Sequence, residues 1–192
     1  ALTLAIGKAG VKKDEIRYLF AGDLLGQSMA SSFGLKQFEI PLFGVYGACS
    51  TCGESLSLAS IAVASGSADC VAAVTSSHFA SAEKQFRFPL EYANQRPVSA
   101  TWTVTGSGAF ILGNESYKGK IKHQKAEKYI RITGITTGKI VDYGIKDSMN
   151  MGAAMAPAAA DLIRQNLNDY NVKADEYDKI ITGDLGSVGR QI

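Results

Sequence analysis

Histidine, cysteine and tryptophan are scarce in this chain, with two, three and one residues in 192. The two histidines, His78 and His123, stand far apart, so no metal-ligand spacing exists and neither a metal nor a cofactor is expected. Three cysteines (Cys49, Cys52 and Cys70) cannot all pair. That excludes a secreted disulfide framework and points to a reducing compartment inside the cell. No run approaches the roughly 18 apolar residues of a membrane span, and the N-terminus carries no basic-then-apolar signal pattern. A bias of charge is missing as well. Twenty Lys and Arg stand against 18 Asp and Glu, a net +2, too little to indicate nucleic acid. The one lysine-rich run, 118–131, has no aromatic stacking platform and reads as a solvated connector, with His123 exposed in it. An initiator methionine is also lacking. The chain opens on Ala1 inside a helical pattern, and it is expected to be a piece of a longer protein.

What is present is ordinary globular material, 46% hydrophobic and 20% charged. Short helical patterns alternate with short apolar runs at 18–21, 43–49 and 70–75, which indicates an α/β domain with a mostly parallel sheet. Residues 79–100 form a long irregular segment rich in aromatics, with Arg87 and Arg96. A loop of that length is usually functional or an interface. Residues 102–112 read as two strands meeting at Gly106-Ser107-Gly108. An alternating run at 129–140 reads as a strand and 153–167 as a helix that tolerates Pro157 near its start.

The organising stretch is 43–66, an apolar run leading through Gly47-Ala48-Cys49 into a helix that is apolar nearly all round and is therefore expected inside the domain. The strand is expected to end at Cys49, which places the thiol among the unpaired N–H groups of a helix start, a position that makes thiols reactive. Position alone leaves Cys49 open between a nucleophile and a small buried residue at a tight turn, because nucleophilic catalysis also needs a base within hydrogen-bond reach. Cys52 completes a C-x-x-C with Cys49, either a redox pair or helix packing. Cys70 reads as core. His78 follows the carboxyl end of a strand, where open α/β sheets hold ligands, and a structural histidine is the alternative there.

The chain also repeats itself. Residues 11–24 (VKKDEIRYLFAGDL) align with 172–185 (VKADEYDKIITGDL) at a constant offset of 161, and the helix before each repeats too. The shared unit is helix, polar connector, strand and a Gly-Asp-Leu loop, the mark of a duplicated fold. The first copy, 1–117, runs on through the cysteine elbow. Residues 118–192 hold the connector and the beginning of a second copy whose own strand–turn–helix is expected to be missing. Apolar surface of the first half would then be left uncovered. Asp23 and Asp184 are equivalent under the repeat, which favours a structural role for both as loop residues bonding nearby N–H groups.

A duplicated α/β fold with a cysteine at a strand-to-helix elbow resembles the thiolase superfamily, which includes the condensing enzymes. GVYGACST is similar to its cysteine motif and TVTGSGAFIL to the glycine-rich strand pair closing its first half. The resemblance implies a thiolase-like duplicated fold, with mixed sheets packed around buried central helices and a truncated second half. It also implies Cys49 as the acyl-accepting nucleophile. A histidine would follow the strand at 180–182, but Asp184 stands there, with Ser187 or a neighbour where an asparagine would follow. AGDLLGQ, TSSHFASAEKQFRFPLEY, VDYGIKDSMNMGAAMAPAAAD and ITGDL narrow the resemblance to a thiolase-like sporulation family of endospore-forming bacteria. That family implies a noncatalytic component of the spore's dipicolinic acid uptake and channel apparatus. The protein would be cytoplasmic and peripherally associated with the forespore or spore inner membrane. Its implied partners are dipicolinic acid, free or as the calcium chelate, other channel subunits and a second copy of itself, with no nucleic acid. The ligand-binding residues read on this basis are Cys49, His78, Arg87, Gly106, Ser107 and Asp184. Arg87 or Arg96 would hold a carboxylate by two hydrogen bonds; the alternative for both, favoured for Arg96, is pairing with Glu83 and Glu91 or facing a partner subunit. The alternative is a condensing-type acyltransferase that uses Cys49, with backbone N–H groups of the glycine-rich strand as the oxyanion site.

Overall fold

The computed structural model describes residues 1–24, 28–77, 105–117 and 130–192. Of these, 1–24, 28–77, 105–117 and 130–133 belong to one compact unit and 134–192 to another.

The first unit is a four-stranded mixed sheet. Its strands are β1 (Tyr18–Asp23), β2 (Leu42–Gly44), β3 (Cys70–Ser76) and β4 (Ser107–Gly113), in the order β2-β1-β3-β4. The first three run parallel and β4 returns antiparallel. Register pairs Phe20 with Phe43 and Ala73, Asp23 with Ser76, and Ser76 with Ser107. Because both faces are covered, β1 and β3 read as continuous apolar runs, and their side chains divide by period two. Leu19, Ala21, Cys70, Ala72 and Val74 form one core with Leu2 of α1 (Leu2–Ala9) and Leu35 of α2 (Met29–Leu35). Phe20, Val71 and Ala73 form the other, against Ala59 of α3 (Thr51–Ala64).

Helix α3 is not buried all round, as its apolar sequence led us to expect. Thr51, Ser55 and Ala59, one residue per turn, are its buried residues, and their small side chains let it lie close on the sheet. On the other side Leu58 and Ile61 are 42% and 51% exposed. A helix touches a sheet along one stripe only, and no other element among this unit's described residues forms a second layer over the rest.

In the second unit, α4 (Met151–Tyr170) is N-capped by the Asn150 side chain, which accepts from the Ala153 N–H at 3.2 Å. It starts two residues earlier than the pattern suggested, so Pro157 falls in the second turn and offers no N–H to the Ala153 carbonyl. It packs on α5 (Gly186–Gln191) by backbone contact, where a Cβ on Gly152 would strike the Leu185 carbonyl.

Two strand expectations fail here. Residues 130–140 and 180–182 form no ladder. A strand is defined by its partner, and no strand occurs among the described residues of this unit. The backbone of 135–137 is bonded to helix side chains instead. Tyr170 Oη donates to the Ile135 carbonyl at 3.1 Å, and Gln165 Nε2 to the Thr137 carbonyl at 3.3 Å.

The repeat is visible as structure. In the first copy a left-handed Gly10 (φ 66°) closes the helix, and a 3₁₀ turn follows at Lys13–Glu15. In the second, Asn171 (φ 50°) closes α4 and the turn is Ala174–Glu176. Each turn is held by the same bond. The Lys12 N–H donates to the Glu15 carboxylate at 2.7 Å and the Lys173 N–H to the Glu176 carboxylate at 2.8 Å.

Candidate functional site

The carboxyl ends of β1, β2 and β3 lie at one edge of the first unit's sheet, and antiparallel β4 begins there. Open α/β sheets bind ligands along such an edge. The topology therefore brings together Asp23, the segment after Gly44 that carries Cys49, the Ser76–Ser77 end of β3, and Gly106 and Ser107.

The elbow is not a strand running straight into a helix. Strand β2 ends at Gly44, five residues before Cys49, and the chain continues through Val45–Gly47 into a 3₁₀ turn, Ala48–Ser50. Polar bonds shape the turn. The Val45 N–H donates to the Ala21 carbonyl at 2.8 Å, the Gly47 N–H to Thr51 Oγ1 at 3.2 Å, and Ser50 Oγ to the Gly47 carbonyl at 2.7 Å. Ser50 Oγ also lies 2.6 Å from Glu54 Oε1. The helix starts at Thr51 with Ser50 as its N-cap and no side-chain cap bond. Ala48 sits at φ 48°, a left-handed conformation that costs an alanine about 1–2 kcal/mol. The turn presents Cys49 exposed, Cys52 follows at intermediate depth in α3, and Cys70, in β3, is buried.

Gly106 and Ser107 are tied into the sheet. The Gly106 N–H donates to Ser77 Oγ at 2.7 Å, the Ser77 N–H to the Gly106 carbonyl at 2.9 Å, and Ser107 Oγ to the Thr75 carbonyl at 2.9 Å. The Gly106 N–H is therefore already engaged.

Asp23 is fully buried and accepts from both the backbone N–H and the Oγ of Ser31, at 3.1 and 3.2 Å. It satisfies an N–H in the first turn of α2, which has no side-chain cap of its own. Ser31 escaped the sequence reading because nothing local marks a partner eight residues away. Asp184, in the second unit, is exposed and accepts from the Gly186 N–H at 2.9 Å, at the start of α5. Both aspartates bond an N–H of the helix that follows them. His78, Arg87, Arg96 and His123 lie outside the described residues, as does the strand expected at 102–104. No group of three or more His, Cys, Asp or Glu that could hold a metal occurs among the described residues, and no helix there is long and apolar enough to cross a membrane.

Against known proteins, the family model described as stage V sporulation protein AD (SpoVAD) matches residues 1–192. Stage V sporulation protein AD of Bacillus subtilis is 45% identical over all 192 residues. The chain spans 54% of that relative's length. Among solved structures, a variant of OleA from Xanthomonas campestris superposes with a TM-score of 0.68 at 11% identity, over 100% of this chain and 61% of its own. A tetronic acid condensing enzyme gives 0.54 at 14% identity, over 92% and 57%. At such identities the likeness is one of fold, and the fold is thiolase-like.

Proposed function

The chain belongs to the stage V sporulation protein AD family, and from that premise we propose that it is a noncatalytic dipicolinate-binding component of the spore's channel apparatus. Asp184 is the observation that carries the noncatalytic reading. A condensing enzyme is expected to have a histidine base at that place. Here a carboxylate bonds the Gly186 N–H, the same use to which its repeat counterpart Asp23 is put. Acyl transfer needs a base beside the cysteine to take its proton, and the carboxylate of Asp184, tied to Gly186, is not that histidine.

In this reading the carboxyl edge of the first unit is the binding surface. Arg87 grips one carboxylate of the ligand, free or calcium-bound, through paired N–H donors. Cys49 and His78 border the ligand together with Gly106 and Ser107. The protein sits on the cytoplasmic side, peripheral to the forespore or spore inner membrane, beside other channel subunits. Homodimerisation belongs to the same proposal; the exposed Leu42 and Phe43 of edge strand β2 support it. Titrating the full-length protein with dipicolinic acid is expected to give saturable binding that weakens in Arg87→Ala and Cys49→Ala. No binding at millimolar ligand overturns the proposal.

A second reading, acyl transfer by Cys49, is favoured by one feature, the exposed thiol on a strained turn at the start of α3. Intact-mass measurement after incubation with acyl-CoA separates the two. A Cys49 thioester would establish the enzyme, and an unmodified protein would exclude it.

A further inference from the structure

Cys52, the second thiol of the C-x-x-C, is left unused by either reading. Helical backbone is continuous from Cys49 to Cys52. Cys49 lies in the 3₁₀ turn, Ser50 and Thr51 have φ −79° and −51° with ψ −10° and −36°, and Cys52 is the second residue of α3. Residues three apart on such a turn are side-by-side neighbours, with Cβ atoms about 5–6 Å apart in an α-helix. A disulfide needs roughly 3.5–4.5 Å. The remaining gap of about 1–2 Å is what 3₁₀ winding closes, because it brings positions i and i+3 into eclipse. The chain already winds this way at Cys49. Neither thiol has a hydrogen-bond partner among the described residues, and both are free. Their exposures differ in the useful sense, with Cys49 open to solvent and Cys52 behind it at intermediate depth. Cys70 is buried in β3 at 1% exposure.

We propose that Cys49 and Cys52 are a modification site, closing reversibly to an intramolecular disulfide by exchange with a low-molecular-weight disulfide. The Cys49 thiolate attacks one sulfur of the small disulfide, forming a mixed disulfide and releasing one small thiol. The Cys52 thiolate then attacks the Cys49 sulfur, closes the protein disulfide and releases the second. Two cysteine thiols and one small disulfide give one protein disulfide and two small thiols. The second step is intramolecular, at an effective concentration of order millimolar or above, so it outruns capture of another small thiol. Closure withdraws the Cys49 thiol from the carboxyl edge and pins the first turn of α3.

The test is peptide mapping of the full-length protein after incubation with oxidised glutathione, acid quench and alkylation. The expected product is a peptide containing both Cys49 and Cys52, lighter by two hydrogens, unalkylated and restored by dithiothreitol. Cys70 should alkylate only after denaturation. In Cys52→Ser the reaction should stop at the Cys49–glutathione adduct, raised more than about tenfold over wild type because the resolving step is gone. The wild-type map stands whether or not the variant folds. The proposal is overturned if wild-type Cys49 keeps its glutathione while Cys52 still alkylates, if neither thiol reacts, or if either pairs with Cys70 or with another chain.

Discussion

Gly22 and Gly183 occupy the same place in the two copies of the repeat, yet the structure assigns them opposite tolerances. A Cβ on Gly22 would overlap the Val45 carbonyl oxygen and press on Thr51 Cγ2. Neither can retreat easily. Val45 is clamped by its N–H bond to the Ala21 carbonyl at 2.8 Å, and Thr51, on the buried stripe of α3, is 3% exposed. Forcing in a methyl group costs about 1–3 kcal/mol as overpacking, and loosening the Val45 bond adds about 0.5–1.5 kcal/mol. Reduced freedom of the unfolded chain returns about 0.4–1 kcal/mol. The net for Gly22→Ala is a loss of roughly 0.5–4 kcal/mol, centred on about 2 kcal/mol, which at the centre is about 4–8 °C in Tm for a chain of this size. At Gly183 the nearest atom is the Met155 methyl at 3.5 Å, the end of a flexible side chain. Gly183→Ala should therefore melt within about 2 °C of wild type. Thermal and urea unfolding of both variants, followed by circular dichroism, makes the comparison. Equal losses, or a Gly22→Ala protein that melts as wild type, would refute the close approach that holds the Cys49 turn on β1.

The two aspartates should separate in the same way. Asp23→Ala strips a buried serine of its partner and is expected to cost about 1.5–3 kcal/mol in urea unfolding, whereas Asp184→Ala, at an exposed loop, should cost about 0.5–1 kcal/mol. Burial, helped by the charges of Cys70, Glu15 and Asp69, pushes the Tyr117 phenol above its ordinary 10.0. The folded state thus holds this proton to higher pH than the unfolded chain does. Stability is intact below 10.0 and falls as pH rises above it. Tyr117→Phe should remove that part of the alkaline loss, read as urea midpoints across the range. The Arg131–Glu115 pair, 2.9 Å apart but exposed on both sides, should contribute less than about 1 kcal/mol in a double-mutant cycle, and less still in high salt.

Strands β1 and β3 were legible as apolar runs flanked by turn residues, and the helix after Cys49 by its small-residue pattern. That pattern misjudged burial, because Leu58 and Ile61 are apolar whether or not anything covers them. The end of β2 at Gly44 was not legible either, since the bonds that bend Val45–Gly47 away reach back to Ala21 and forward to Thr51. At the site, Cys49 and the Gly106-Ser107 pair could be picked out by composition and spacing. That they share one edge with Asp23 follows only from strand order. The Asp23–Ser31 bond carried no local signal at all.

The repeat divides what each level decides. Sequence alone determined the paired features that close within a few residues: the left-handed caps at Gly10 and Asn171, and the 3₁₀ turns in which Glu15 and Glu176 accept from Lys12 and Lys173. Such bonds need no distant partner, so like sequences give like structure. The next residues along are also alike, Leu19-Phe20 in one copy and Ile180-Ile181 in the other, yet their fates differ. Leu19 is fully buried between β2 and β3, and Ile181 is 86% exposed and unpaired with any strand among the described residues. A strand is completed by chain that comes from tens of residues away, and only the tertiary structure decides whether it arrives.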